Sequence, residues 1–524
     1  MHEPVGPTPV PTIPFSLTQS EVVLNKPLEQ SNPSGLYQSQ YGHFIGGQWV
    51  EGASGATIDL FNPATGETLS RIAAGNATDV ERAVAAASEA FKTWGHSTPA
   101  QRQEVLIEIA RRLKARMQDF ALLETLNNGK PIRESMHFDV PAAIGQFELF
   151  AGAAWHLHGQ AMDFPDALGV VHREPYGVVA QIIPWNVPLI MMATKIAPAL
   201  AAGNTIVLKP AETVCLSVLE FFREMQDVIP PGVVNVVTGY GADVGEPLVT
   251  HPQVRKVAFT GSLPTARRIM QYASVNIIPQ TLELGGKSAH IVCDDADIDA
   301  AVESAALSTV FNKGEVCLAG TRLLVQESIR DEFLEKLSRT LDGIRMGDPT
   351  DPATQMGAQA SVMQRDKVLS YLDIGVQEGA KVFRGGKRAS VPGFENGNFI
   401  EPTIFVDVDN RMRIAQEEIF GPVTCAITFK NDDEAIALAN DSTYGLGGGL
   451  WTRNLARAHR ISRSMQTGTV WVNRYFNLKP GMPLGGYKQS GFGREFCFDI
   501  LEHYTLTKSV VINLEEGPMG IFQH

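Results

Sequence analysis

Five cysteines in 524 residues are too few, and too scattered, to build a disulfide framework. None of Cys215, Cys293, Cys317, Cys425 and Cys497 falls in a CxxC pair or beside a spaced pair of histidines, which also excludes a structural zinc site. Free thiols of this kind suit a reducing compartment, and the chain is read as cytoplasmic. Long apolar runs are missing too: charge, glycine or proline cuts each one, so no segment can cross a bilayer and no membrane partner is expected. Blocks of Lys and Arg are absent, and 44 basic against 57 acidic side chains leave a net charge of −13, which removes the electrostatic footprint of a nucleic-acid binder. The first 35 residues contain no arginine and no long apolar core. They are neither a secretory signal nor a transit peptide.

What is present reads as a large soluble globular chain. A hydrophobic content of 44% over this length supports two or three subdomains. The proline-rich start, "MHEPVGPTPVPTIPF", reads as an extended arm, with a surface-clasping segment as the alternative. From about Tyr41 the pattern becomes that of a folded domain. Thr78 with Glu81 three residues on forms a capping-box signature, and apolar residues at Leu106, Ile109, Leu113, Met117 and Phe120 mark one amphipathic helix. Between Gly177 and Ser262, the runs "GVVAQII", "NTIVLKP", "VNVVTG" and "KVAFTG" alternate with helix-like segments near 189–202, 214–227 and 243–250. That alternation predicts a Rossmann-like parallel sheet with ligands at its strand ends. Gly239, Gly241 and Gly245 follow one such strand, where they serve either a phosphate or an ordinary turn. The triplet "HLH" at 156–158 reads as polar residues facing solvent, and no metal site is assigned.

Seven stretches occur together and in order: "IIPWNVP" (182–188), "LKPAE" (208–212), "FTGS" (259–262), "LELGGK" (282–287), "FNKGEVCLAGTR" (311–322), "EEIFGPV" (417–423) and "PLGGYKQSGFGRE" (483–495). In this joint pattern the chain resembles the aldehyde dehydrogenase superfamily from about Tyr41 to Leu514. The resemblance implies an α/β fold with a Rossmann-like cofactor domain (41–156 and 176–286), a second α/β catalytic domain (287–489) and a small β oligomerisation element (157–175 and 501–514). The arm, 1–40, and the tail, 515–524, flank these. A homodimer or homotetramer is implied, because an exposed sheet edge needs a partner.

The chemistry follows residue by residue. A neutral aldehyde does not readily surrender hydride, but a tetrahedral oxyanion does, and a soft thiolate makes one. Cys317 matches the family's nucleophile, and Gly314 and Gly320 beside it allow close backbone approach. Asn186, with the Cys317 N–H, is the oxyanion donor that the resemblance implies. Glu283 occupies the general-base position for hydrolysing the resulting thioester, a role that suits a carboxyl of raised pKa. The cofactor implied is NAD. Lys209 and Glu212 would face the adenosine ribose, and the Glu212 carboxylate would repel a 2′-phosphate. Trp185, Gly241, Gly261, Ser262 and Leu284 are further implied cofactor contacts, with Glu418 and Phe420 holding the nicotinamide ribose and positioning the ring. Ala266 stands where many members carry glycine, which raises a question of local helix packing. Family positions carried onto Val187, Ile190, Met191, Thr194, Phe311, Leu478 and Leu484 give a mainly aliphatic substrate funnel, suited to medium-chain aliphatic or aromatic aldehydes. Two other readings stand beside this one: a CoA-acylating aldehyde dehydrogenase, and an idle binding or structural protein on the same fold.

Overall fold

The computed structural model describes residues 35–519 and 521. The N-terminal arm up to residue 34, and tail residues 520 and 522–524, lie outside the described residues.

The first helices show how local sequence sets the frame. Helix α1 (Ala77–Trp94) starts two residues earlier than Thr78 and Glu81 suggest: Asn76 is the N-cap, and its partner in the capping box is Asp79. Asn76 accepts the N–H of Thr78 (2.9 Å) while the Asp79 carboxylate accepts the N–H of Asn76 (3.1 Å), so the box closes two residues before Glu81. Glu81 is left to pair with His251 at 3.0 Å. The helix expected to run on past Met117 is two, α2 (Pro99–Ala115) and α3 (Met117–Asn128). At Arg116 the backbone leaves the helical region (φ −112°, ψ 26°), and the guanidinium is held by Asp119 (3.0 Å) and Glu224 (2.6 Å). Helix α4 (Val140–Ala153) and helix α5 (Pro188–Ala201) follow. Every residue of α5 is buried, Thr194 and Lys195 included among otherwise apolar side chains.

Five parallel strands form the centre of the first sheet: β1 (Val178–Ile182), β2 (Thr205–Lys209), β3 (Val234–Val236), β4 (Val254–Thr260) and β5 (Gln280–Glu283). Their order is β5-β4-β1-β2-β3, so the chain reverses direction across the sheet between β1 and β4. In doubly wound sheets such a crevice, outside the carboxyl ends of the strands, is where ligands bind. The strand-rich runs recognised in the sequence are β1 to β4. Helix α6 (Leu263–Ser274) leaves β4 with Ser262 as its N-cap. Ala266 is buried in this half's core, so its methyl is accommodated without displacing α6.

The chain crosses to a second sheet at 284–288 and enters β6 (Ala289–Val292), then α7 (Ile298–Val310) and β7 (Arg322–Gln326). Strands β8 (Thr403–Val406), β9 (Val423–Phe429), β10 (Gly447–Trp451) and β11 (Thr469–Val472) complete a parallel array ordered β8-β9-β7-β6-β10-β11, with one short antiparallel strand beyond β8. Each sheet has its own apolar cores. Near its end the chain returns: Gly491–Phe492 pairs antiparallel with β5. A third, three-stranded sheet is built from 160–163, 167–175 and β12 (Thr505–Asn513), and β12 is one of its edges. Leu506, Val510, Val511 and Ile512 are exposed along it. His156 ends a short 3-10 turn, and both it and His158 are at the surface. Among the described residues no helix is long and apolar enough to cross a membrane, and no cluster of three acidic, His or Cys side chains could hold a metal.

Candidate functional site

Cys317 lies in the loop between α7 and β7, where the two sheets meet. It is set deep but still reachable from solvent. Two glycines allow this meeting. A Cβ on Gly285 would stand 2.4 Å from the Glu418 carboxylate, and one on Gly286 would stand 2.4 Å from the Cys317 carbonyl, so this segment of "LELGGK" must be bare backbone. Gly286 N–H donates to Glu418 Oε1 (3.0 Å). The thiol pKa is pushed well above its ordinary value, first by burial and then by the nearby carboxyls of Glu283 and Glu418. The resting thiol is therefore protonated, and attack requires a base.

Glu283 is the last residue of β5. Its carboxyl is buried and accepts no hydrogen bond from an N–H or O–H donor among the described residues. The Glu495 carboxyl is near enough to share a proton with it, and burial, followed by that second acid, pushes the Glu283 pKa well upward. Lys195 on α5 is wholly buried and holds Glu495 Oε1 at 2.6 Å. Behind them, Gln181 donates to the Lys195 carbonyl (2.7 Å) and to the Tyr504 hydroxyl (3.3 Å), and the Lys256 ammonium stands over the Tyr504 ring, 5.3 Å from its centroid. Burial, then the charge of Lys195, brings Lys256 down to about 7. Glu495 Oε2 and Gln181 Oε1 lack partners, as do both Glu283 oxygens, so this is a cluster with spare acceptors. Sequence reasoning did not reach Glu495, Lys195 or Lys256 as site residues, although Glu495 ends one of the seven stretches.

On the other side of Cys317 the polar groups are tightly bonded. Asn186 is buried in the loop after β1, and its Nδ2 donates to the Glu315 carbonyl at 3.0 Å. Asn128, Lys313, Glu315, Lys130 and Asp139 are buried around it, with Lys130 2.6 Å from Asp139 and Lys313 2.9 Å from Glu315. Glu124 accepts from Leu189 N–H (3.0 Å) and Ser217 (2.6 Å), and Glu134 accepts from Asn312 N–H (2.9 Å). Burial raises Glu124 to about 7 and Glu134 to about 8. No sequence signal singled out these residues beyond Lys313 and Glu315 flanking the cysteine.

The residues expected at a cofactor gather along the carboxyl edge of the first sheet. Lys209 ends β2, with its ammonium 3.4 Å from the partly exposed Glu212. Gly241 has open space at its Cβ position. Ser262 caps α6, the Gly261 N–H donates to the Glu283 carbonyl (3.1 Å), and the Leu284 N–H donates to the Ser490 carbonyl (3.1 Å). The Trp185 and Phe420 rings meet edge-on, 5.3 Å between centroids. Phe420 takes a positive φ of 62°, which fixes where its ring projects. Glu418 keeps one carboxylate oxygen for Gly286 and has the other available to a ligand hydroxyl.

A cavity of about 330 Å³ opens nearby, and Ile190, Leu478 and Leu484 line it. Its walls also include Phe138, Trp471 and Phe496, rings absent from the sequence-based funnel. Phe311 packs in the same apolar cluster as Cys317, edge-on to Phe138 at 5.1 Å. Val187, Met191 and Thr194 do not line this cavity: Met191 and Thr194 are buried within α5, and Val187 packs on the core. A larger cavity of about 910 Å³, bounded by Trp451, Arg453 and Tyr475, does not include Cys317.

Comparison with known proteins agrees with this arrangement. The profile of the aldehyde dehydrogenase family matches residues 49–510. An aldehyde dehydrogenase from Deinococcus radiodurans is 47% identical over 493 residues, covering 93% of this chain and 95% of the relative. Acetaldehyde dehydrogenase 2 from Cupriavidus necator is 45% identical, covering 94% and 98%. The crystal structure of betaine aldehyde dehydrogenase from Staphylococcus aureus in complex with NAD+ superposes with a TM-score of 0.91 at 38% identity, covering 95% of this chain and 99% of that one. With a cysteine and a buried acid where two sheets meet, and a match over nearly its whole length, this chain belongs to the aldehyde dehydrogenase family.

Proposed function

We propose that the protein oxidises an aldehyde to its carboxylic acid with NAD, through a thioester on Cys317. The observation that carries this is the position of Cys317 between Glu283, a buried carboxyl free of hydrogen-bond donors, and Asn186, an amide held at the same loop. The Cys317 thiol gives its proton to solvent, its sulfur adds to the aldehyde carbon, and Asn186 with the Cys317 N–H donates to the oxyanion. NAD, when bound, supplies the hydride acceptor. Glu283 then removes a proton from the water that attacks the thioester, and Glu495 receives it through the shared carboxyl contact.

The cofactor groove fits a dinucleotide with a free 2′-hydroxyl. Glu212 beside Lys209 accepts from ribose and repels a 2′-phosphate, Ser262 and Gly261 stand at the start of a helix that favours pyrophosphate, and Glu418 has an oxygen for the second ribose. The similar Staphylococcus aureus structure was determined with NAD+. Glu283 favours hydrolysis over transfer of the acyl group to CoA. The ring-lined cavity favours aromatic or medium-chain aliphatic aldehydes over acetaldehyde. The open β12 edge, with its exposed aliphatic side chains, is the surface through which the chain forms a homodimer or homotetramer. Five scattered free thiols favour a reducing compartment such as the cytoplasm.

Rapid mixing with NAD and a panel of aldehydes tests the reading. NADH should appear with a burst in the native protein and not in Cys317→Ala, with no effect of added CoA on the product. Benzaldehyde and hexanal should exceed acetaldehyde in kcat/KM by roughly tens-fold, at about 0.8 kcal/mol per methylene brought into contact. Better efficiency with acetaldehyde would reject the substrate class, and a burst from Cys317→Ala would reject the nucleophile.

A further inference from the structure

The loop that brings Cys317 to the cleft has an unusual backbone. Asn312, Lys313 and Gly314 all have positive φ, at 45°, 59° and 76°. Non-glycine residues adopt this region in succession only where their surroundings impose it.

The imposing structure is a closed circuit of polar contacts. The Lys313 ammonium donates to Asn128 twice, to its side-chain oxygen and to its carbonyl (2.9 Å). Asn128 Nδ2 donates to the carbonyls of Trp185 (3.0 Å) and Asn186 (3.2 Å). Asn186 Nδ2 donates to the Glu315 carbonyl (3.0 Å), and the Glu315 carboxylate returns to Lys313 at 2.9 Å. Asn312 braces the ring from inside, with its Nδ2 shared between the carbonyls of Asn186 (2.9 Å) and Glu315 (3.1 Å). Gln359 and Ala360 hold it from outside, donating to the Lys313 carbonyl (3.1 Å) and to Glu315 Oε1 (3.0 Å). The circuit thus ties together three segments far apart in sequence: the end of α3, the loop after β1 and the loop before β7.

The Lys313 ammonium makes two hydrogen bonds, both to Asn128, and the Glu315 carboxylate stands 2.9 Å away as its ion-pair partner. The ammonium is wholly buried, a placement that is costly unless each of its bonds is made. An asparagine amide has two N–H groups. Asn186 commits one to Glu315, and with its backbone carbonyl pinned from two sides, the direction of the other is set.

We infer that Lys313 is a positioning residue for the oxyanion site: through Asn128 it holds Asn186 so that its second amide hydrogen faces the oxygen of the tetrahedral adduct on Cys317. The inference rests on the proposed role of Asn186. It makes the nucleophile loop and the oxyanion donor one rigid unit, in which a charge that never touches substrate sets the donor's aim.

A double-mutant cycle tests it. The burst rate of NADH formation is measured at saturating NAD and aldehyde for the native protein, Asn186→Ala, Lys313→Met and the double variant. Asn186→Ala should slow the burst roughly 10²- to 10³-fold, the usual effect of losing one oxyanion donor. Lys313→Met should slow it roughly 10- to 100-fold while KM for aldehyde and for NAD stays within about threefold. In the Asn186→Ala background, Lys313→Met should add less than about twofold, because the group it acts through is gone. A burst at full rate in Asn186→Ala would overturn both the oxyanion role and the inference. Slow Asn186→Ala with an additive double variant, or Lys313→Met within about twofold of native, would overturn the inference alone. If Lys313→Met does not fold, Asn128→Ala opens the same circuit at its next link and carries the same expectations and refutations.

Discussion

Two buried polar clusters flank Cys317, and they are built to opposite specifications. Around Asn186 there are four buried carboxyls, Glu124, Glu134, Asp139 and Glu315, and each receives at least one hydrogen bond from an N–H, O–H or ammonium donor. Around Glu283 there is one strong ion pair, Lys195 with Glu495, and several acceptors with nothing to accept. Single oxygens of Glu124 and Glu315 are left without a hydrogen bond, but each carboxyl of the first region is anchored by a donor on its other oxygen or on both, and in a low-dielectric interior moving it breaks a bond that water cannot replace. Glu283 has no donor on either oxygen, so it can take up and release a proton without such a loss. We read the first region as one that holds geometry and the second as one that handles protons.

The sharpest way to break the comparison is at Glu283. Glu283→Gln should lower steady turnover by about 10²- to 10⁴-fold, the range for loss of a general base, while one NADH per site still appears and mass spectrometry finds an acyl group on Cys317. A lost burst would show that Glu283 is chiefly needed to ionise the thiol. Full turnover would remove it from the mechanism.

Glu495→Gln probes the same cluster one step back. Burial and the Glu495 charge raise the Glu283 pKa, so removing that charge lets Glu283 ionise at lower pH. The rise of deacylation rate with pH should move toward acid, and an unmoved profile would mean that the two carboxyls do not communicate. The variant also strands the Lys195 ammonium, and thermal or urea unfolding should show a loss of about 3 to 5 kcal/mol.

The smallest effect is expected at Glu134, in the first region, and it concerns stability. Its folded pKa of about 8 lies above the ordinary carboxylate value, chiefly through burial. The native state therefore keeps a proton that the unfolded chain releases, and the stabilisation present at low pH is lost as pH rises through about 8. Glu134→Gln keeps the acceptor for Asn312 N–H but cannot titrate. Unfolding followed from pH 5 to 9 should fall less steeply in the variant, by at most about 1.4 kcal/mol per pH unit. Identical slopes would show that Glu134 is not protonated in the native protein.

How much of this was legible in the chain depends on the distance over which each feature is decided. Strands β1 to β4 announce themselves because each is a short β-rich run bounded by turns, a local signal. Cys317, Glu283 and Asn186 stand inside stretches whose joint order marks the family. The start of α1 was misplaced because Asn76 and Asp79 form the same type of box as Thr78 and Glu81, and only the path of the entering chain selects between them. The break at Arg116 turns on Glu224, more than a hundred residues away. The same holds for the pairing of Lys195 with Glu495 and of Lys313 with Asn128: nothing beside either lysine reveals its partner. The aromatic walls of the cavity come from Phe138 just before α4, from Trp471 in β11 and from Phe476 and Phe496 after it, which meet only in the fold.

The strand Gly491–Phe492, which closes on β5, carries one more consequence, for the order of events during synthesis. Roughly 200 residues separate Glu283 from the strand that covers it, and at a ribosomal pace of about 5 to 20 residues per second they take about 10 to 40 s to emerge. For most of that interval the nascent chain carries Cys317 and Glu283 but not Glu495, and β5 is an uncovered edge. The contact between the two carboxyls can therefore form only when the polypeptide is nearly complete.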